Sequence, residues 1–313
     1  MLATLQNVPP LSTKTGFLID MDGVIYRGHK PIRGAAELIA RLLEEEYPFL
    51  FLTNNSQRSR RDIQLRLKRM DICVEERHVF TCAMATARFL ARQNPGGTAY
   101  VIGEGGLLNA LHVNGYAVDD LHPDYVIVGE GKTLNMDMLE KAVTFVNAGA
   151  RLIATNMDPN CPTERGMRPG CGAIVRAIEA ATGRTALALG KPSPITMCEA
   201  ARELGTPPER TVVIGDTMET DILGGVQLGF STVLVLSGGT RRSELNEFAY
   251  RPTHVVKSIG DLLERDLFGT IAAWRAAAAR CACPQSSSPT WVAAGRWAVE
   301  AATPQAFLAQ RCS

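Results

Sequence analysis

Apolar residues fall along this chain in short runs that alternate with stretches of helical period. Runs at 16–19, 48–53, 98–102, 125–128, 151–155, 186–189, 211–215 and 231–236 are bounded by turn formers and predict strands. Between them, periodic stretches at 34–46, 58–70, 82–92, 135–147, 171–181, 194–204 and 219–227 predict helices. In the first of these, Ala35, Leu38, Ile39 and Leu42 share one face, and the solvated run Glu44-Glu45-Glu46 ends it. Gly103-Glu104-Gly105-Gly106 follows a strand and opens a helix, but Leu108 stands where a dinucleotide fingerprint needs its third glycine, so a tight turn is favoured. The alternation predicts an α/β class with mostly parallel sheets and right-handed crossovers. Beyond about residue 266 the pattern fades: 271–282 is Ala-rich and 284–290 Pro/Ser-rich, predicting a disordered or loosely helical tail without chemistry.

Open parallel sheets bind ligands at the carboxyl ends of their strands. Asp20-Met21-Asp22-Gly23 follows Gly16–Ile19, and Thr53-Asn54-Asn55 follows the apolar run from Pro48. Lys191 lies just past Ala186–Leu189, and Gly215-Asp216, with Asp221 five residues on, follows Thr211–Ile214. Two carboxylates at a buried strand end are costly to desolvate unless a cation or a reaction offsets the cost. The residue types suit phosphoryl transfer. Lys191 supplies positive charge, and Thr53 and Asn54 supply donors for phosphate oxygens. Asp20, Asp216 and a backbone carbonyl near Asp22 offer the hard oxygen ligands of Mg²⁺. Asp20 would attack phosphorus, and Asp22 would protonate the leaving oxygen and then activate water.

Each cluster alone has a blander reading. Asp-x-Asp-Gly often marks a turn, Thr53–Asn55 could cap a helix, Lys191 could be a surface lysine and Asp216 a cap. A calcium loop fails, because Val24 has no side-chain oxygen and Pro31 stands where the bidentate glutamate belongs. Four complementary clusters in one chain outweigh these single readings.

Composition narrows the partners. With 313 residues, 46% hydrophobic and 21% charged, the chain reads as a soluble globular protein with room for two domains. A net charge of +1 gives no case for nucleic acid or an anionic membrane. The basic stretch Arg58, Arg60, Arg61, Arg66, Lys68 and Arg69 lacks aromatics and reads as a solvated helix face. Residues 1–15 lack a signal-peptide pattern, and no apolar run approaches the roughly 20 residues of a membrane span. Eight scattered cysteines, among them Cys281-Ala282-Cys283 without zinc-site spacing, read as reduced thiols of a cytoplasmic protein.

Asp20–Val24, Thr53–Asn55, Gly190-Lys191-Pro192-Ser193-Pro194 and Gly215–Ile222 resemble, in order, the four motifs of the haloacid dehalogenase (HAD) superfamily. The class IIA branch, the NagD-like and 4-nitrophenylphosphatase-like phosphatases, is the nearest likeness, over about residues 14–265. The resemblance implies a Rossmann-like HAD core with a parallel sheet, formed by 1–83 and 187–266, and a large inserted α/β cap at 84–186. The tail at 267–313 lies outside it. By motif, Asp20 resembles the phosphorylated nucleophile, Asp22 the acid/base, and Thr53, Asn54 and Lys191 the phosphate binders. Asp20, Asp22 and Asp216 resemble the Mg²⁺ site, with Asp221 supporting it. A carboxylate at Asp22 separates the chain from haloacid dehalogenases, which have none there, and from P-type ATPases, which have threonine.

Ala154–Pro162 resembles the cap's substrate-facing loop, though members more often have proline where Met157 stands. Asn156, Asp158 and the turn Gly170-Cys171-Gly172 are candidates for substrate contact, against an ordinary strand-to-loop turn. The implied activity is Mg²⁺-dependent hydrolysis of small phosphomonoesters: nucleoside 5′-monophosphates first, then sugar phosphates, phosphoglycolate or pyridoxal phosphate. Transfer to an acceptor other than water and non-catalytic sensing of a phosphorylated metabolite are the alternatives. The intact Asp20, Asp22, Lys191 and Asp216 argue against the sensor. A homo-oligomer is compatible with the sequence.

Overall fold

The structure, a computed structural model, describes residues 12, 14–163 and 166–264; the tail expected at 267–313, with Cys281, Cys283 and Cys312, lies outside the described residues. In chain order the elements are β1 (Gly16–Ile19), β2 (Tyr26–Arg27), β3 (Lys30–Pro31), α1 (Ala35–Glu44), β4 (Phe49–Thr53), α2 (Arg60–Lys68), β5 (Val79–Thr81), α3 (Cys82–Gln93), β6 (Thr98–Ile102), α4 (Gly105–Val113), β7 (Ala117–Val118) and β8 (Tyr125–Val128). There follow α5 (Met136–Asn147), β9 (Arg151–Ala154), β10 (Asn160–Thr163), β11 (Gly166–Pro169), α6 (Cys171–Thr182), β12 (Leu187–Ala188), α7 (Pro194–Leu204), β13 (Thr211–Gly215), α8 (Leu223–Gln227), β14 (Ser231–Val235), β15 (His254–Val256) and α9 (Asp261–Glu264).

The strands form two parallel sheets, a core sheet ordered β15-β14-β13-β1-β4-β5 and a cap sheet ordered β12-β9-β8-β6-β7. Two antiparallel hairpins, β2–β3 and β10–β11, stand outside them. The α/β class and its parallel sheets are as the alternation predicts. The hairpins, β5, β7 and β15 were not foreseen. Strands of two or three residues carry no readable period, and β10–β11 holds Pro162 and Pro169, which disfavour a strand reading.

Local chemistry sets the helix ends. Ser59 and Asp62 form a capping box at α2, and Thr81 accepts from Met84 N to start α3. Pro194 occupies the first turn of α7 and Gly205 closes it in the left-handed conformation. The predicted helix at 219–227 is compound: Met218–Ile222 is a wide π-turn, and only Leu223–Gln227 is α-helical.

The cap sheet is buried on both faces. Along β8, Tyr125 and Ile127 pack with Leu90, Leu107 and Leu111, while Val126 and Val128 pack with Val146, Val175 and Ile178. Helix α3 serves both sheets: Ala83, Ala87 and Leu90 join the first of those clusters, and Met84 and Ala85 join Leu18, Leu50, Phe80 and Met197. No helix among the described residues is long and apolar enough to cross a membrane.

Candidate active site

Strand β1 lies between β13 and β4, so the three strand ends that carry polar clusters are neighbours. Asp20 N donates to Ile214 O at 2.8 Å, carrying the ladder one residue past β1. From β13 the chain passes Asp216 into the π-turn. That extra width swings Asp221 back beneath the strand end, where it closes on Gly215. Lys191 reaches the same point from the turn before α7. Its Nζ donates to Asp20 Oδ1 at 2.5 Å and to Asp221 Oδ1 at 2.6 Å, with the lysine 4% exposed.

Asp20, Asp216 and Asp221 each offer one oxygen within 4.8 Å of the others. Three carboxylates thus face one ammonium. Burial pushes the Asp20 carboxyl up; Lys191 opposes this, and Asp221 and Asp216 add to it. Burial and then Asp221 raise Asp216 to about 6. Burial acts to lower the Lys191 ammonium, but Asp20 and Asp221 outweigh it and hold the lysine charged.

The surplus negative charge and hard oxygen donors fit a divalent cation. Asp20 Oδ2 has no hydrogen-bond partner among the described residues, whereas both Asp221 oxygens are engaged, by Lys191, Thr217 N and Thr220 Oγ1. Asp216 is held by Thr217 Oγ1 at 3.1 Å and Gly239 N at 2.5 Å. Gly23, at φ 81°, and Gly238 pack on it so closely that a Cβ on either would overlap its carboxylate.

The segment after β4 joins the two sheets. Thr53 is 4% exposed and its Oγ1 accepts from Asn55 N. Asn54 Nδ2 donates to both Asp158 oxygens, at 3.3 and 3.2 Å, and to Lys191 O at 3.1 Å, while its Oδ1 accepts from Lys191 N at 2.8 Å. Asn156, fully buried, donates to Asn54 O at 2.8 Å and accepts from Asp158 N. Thus Asn156 and Asp158 meet the back of the Thr53–Asn54 segment, and their polar atoms are occupied there. Gly170 and Gly172 pack against the backbone of Met157 and Asp158, so the turn at 170–172 braces the same loop.

Asp22 sits at the mouth of the site. Its side chain is open to water yet ringed by protein, and that crowding raises its carboxyl, opposed by Arg66. Tyr26 OH lies 3.5 Å from Asp22 Oδ2.

Glu130 was not singled out from the sequence, although it follows an apolar strand and a glycine as the other clusters do. It is 5% exposed and within 3.5 Å of Asn55 Nδ2, Cys161 Sγ and Arg168. Burial raises its carboxyl from the usual 4.5 to about 7, with Cys161 and Arg168 opposing. The folded state therefore holds this proton to higher pH than the unfolded chain, and stability falls as pH rises from 4.5 to 7. Glu130→Gln should be more stable than wild type at pH 8, by up to about 3 kcal/mol, and should lose that advantage near pH 4.5. Urea unfolding of both proteins at the two pH values checks it; an equal gap at both would remove Glu130 as the source.

Comparison with known proteins agrees with this geometry. Residues 17–117 match a family described as haloacid dehalogenase-like hydrolase, and 188–262 match a second HAD-hydrolase-like family. The chain is 39% identical to a dihydroxyacetone phosphatase of Corynebacterium glutamicum over 254 residues, 81% of this chain and 92% of that protein. It is also 39% identical to the ribonucleotide monophosphatase NagD of Escherichia coli over 245 residues, 78% of this chain and 96% of that one. The solved E. coli NagD structure superposes with a TM-score of 0.75 at 38% identity, covering 80% of this chain and 98% of NagD. The 4-nitrophenylphosphatase of Thermotoga maritima gives 0.77 at 32% identity, covering 80% and 97%. The chain belongs to the haloacid dehalogenase-like hydrolases, as a phosphatase of the class IIA branch that holds NagD and the 4-nitrophenylphosphatases.

Proposed function

We propose that the protein hydrolyses small phosphomonoesters with Mg²⁺, through an aspartyl-phosphate on Asp20. The observation that carries this is Lys191 clamped between Asp20 and Asp221 beside Asp216, at the carboxyl ends of neighbouring parallel strands. Asp20, Asp216 and a carbonyl near Asp22 would hold the ion, with Asp221 supporting through Lys191 and Thr217. Bound there, the ion would offset phosphate charge. Lys191 and Thr53 bind phosphate oxygens. Asn54, its side chain committed to Lys191 and Asp158, acts through its backbone N–H.

Asp20 attacks phosphorus and the ester oxygen leaves with the proton of Asp22, whose raised carboxyl suits it to donate. Asp22, now charged, takes a proton from the water that attacks phosphorus, and inorganic phosphate leaves Asp20 free. We assign 1–83 and 187–266 to the core and 84–186 to the cap, except that β12 (Leu187–Ala188) pairs with β9 and so goes with the cap sheet. In this reading Asn156 and Asp158 shape the site by holding Asn54, and Glu130 and the β10–β11 hairpin face the leaving group. Nucleoside 5′-monophosphates are the first substrate class, supported by relatives named ribonucleotide monophosphatase and 5′-nucleotidase. Sugar phosphates and dihydroxyacetone phosphate follow, from the acid sugar phosphatases and the C. glutamicum protein. The described cysteines, all free thiols, support a cytoplasmic setting.

The test is release of 4-nitrophenol from 4-nitrophenyl phosphate, followed by a phosphomonoester panel. Turnover should vanish in EDTA and return with Mg²⁺. Turnover indifferent to EDTA would overturn the metal assignment, and no turnover on any monoester would overturn the function.

A further inference from the structure

Between the β2–β3 hairpin and α2 lies a cavity of about 440 Å³ whose polar walls are His29, Arg58, Asp62, Arg66 and Arg69. Asp62 is spent on the helix cap: its Oδ2 accepts from Ser59 N at 3.0 Å and Ser59 Oγ at 2.6 Å, bonds that hold its carboxyl low. Some arginines of the chain are neutralised by carboxylates and others are not. Arg60 and Arg88 pair with Glu203, Arg92 with Glu199, Arg41 with Glu45 and Arg176 with Glu179. Among the described residues, Arg58, Arg66 and Arg69 make no ion pair with a carboxylate.

Arg66 is nevertheless fixed. Its guanidinium lies 4.1 Å from the Tyr26 ring centroid and donates to Gly28 O at 2.5 Å, while its buried Nε has no partner. A guanidinium held in place with donors unspent, beside two more of like charge, is the arrangement that a tetrahedral or planar oxyanion satisfies bidentately. We propose that this cavity is an anion site that binds a phosphate or carboxylate group.

Its place suggests two sources for that group. Tyr26, which stacks on Arg66, also reaches Asp22 at 3.5 Å, so the cavity abuts the leaving-group side of the site. The anion is either a second charged group on the substrate or a separate small anion that modulates turnover. The substrate arm rests on the phosphatase reading; binding itself does not.

Arg69→Ala, a change at an exposed wall of the cavity and away from Asp20, Asp22, Lys191 and Asp216, is the test variant, with Arg69→Lys to separate charge from fork geometry. Calorimetry with citrate and with pyrophosphate should show saturable binding to wild type, weakened at least about tenfold in Arg69→Ala and less in Arg69→Lys. In the substrate arm, the kcat/KM ratio of adenosine 3′,5′-bisphosphate to adenosine 5′-monophosphate should fall at least about tenfold in Arg69→Ala, with 4-nitrophenyl phosphate unchanged. In the effector arm, citrate should alter 4-nitrophenyl phosphate turnover non-competitively in wild type and not in Arg69→Ala. A response in either kinetic arm identifies the source. Absence of saturable binding to wild type, or binding equal in Arg69→Ala, overturns the site. A protein inactive on every ester sinks the phosphatase reading while the calorimetry still decides the cavity.

Discussion

Asp20→Asn should lower turnover of every phosphomonoester by at least about four orders of magnitude and leave the protein folded. An amide oxygen is no nucleophile toward phosphorus at neutral pH, and no other described carboxylate takes its place. In the proposed mechanism Asp22 serves as the acid/base, Asp216 is pinned by Thr217 and Gly239, and Asp221 is bound through both oxygens. Stability should change little. Asparagine keeps an oxygen to accept from Lys191, Asp221 still pairs that lysine at 2.6 Å, and one of three crowded negative charges is gone. Two measurements check this: steady-state hydrolysis, and acid-quenched retention of phosphate on the protein, present in wild type and absent in the variant. Residual turnover above about one per cent would assign the attack elsewhere.

Lys191→Met should have the largest effect on stability. Among the described residues it deletes the one ammonium set among Asp20, Asp221 and Asp216 and leaves their buried carboxylates without that counter-charge. Removing one partner of a buried ion pair costs about 3–5 kcal/mol, mostly the desolvation of the charge left behind. The sign with pH follows from Asp20. Its carboxyl is already raised, Lys191 opposes the rise, and without the lysine it rises further. The variant's aspartates therefore take up protons at higher pH, and the deficit shrinks as pH falls. Mg²⁺ should restore part of the lost stability, since an ion bound only to the folded state stabilises it by mass action. Urea unfolding at neutral and acid pH, with and without Mg²⁺, reads all three effects. Unchanged stability at neutral pH would show that Lys191 is not the site's counter-charge.

The parallel strands were readable because each is a continuous apolar run ended by glycine or a polar cluster. Where two faces are buried, as on β8, the run needs no alternation to be recognised. The meeting of Asp20, Thr53 and Asp216 was readable too, because the ends of β1, β4 and β13 are neighbours by topology, whereas Lys191, expected at a strand end, follows β12 of the cap sheet and reaches them from the turn before α7. The state of Asn54 was not readable. Nothing in Thr53-Asn54-Asn55 tells that the amide spends its donors on Asp158 and Lys191, since that depends on a loop some hundred residues away. Asp221 was named from the sequence but its route into the site was not legible, and Glu130 was not named at all. A helix period over 219–227 hides the π-turn that redirects Asp221, and Glu130 became notable only once folding placed it beside Asn55, Cys161 and Arg168. The basic stretch read as a solvated face divides in the structure: Arg60 pairs with Glu203, and Arg58, Arg66 and Arg69 line a cavity.

The position of β1 has a consequence for synthesis. It lies between β4, made soon after it, and β13, which begins only at Thr211. At about 5–20 residues per second, the β13 side of Gly16–Ile19 stays unpaired for roughly 10–40 s while the chain between is made. That edge is fully apolar and bears no charge before Asp20, the type of edge that recruits foreign strands. Newly made chains are therefore most vulnerable to aggregation between completion of β4 and emergence of β13. A stalled or truncated product ending before Thr211 should be insoluble even though its cap sequence is intact.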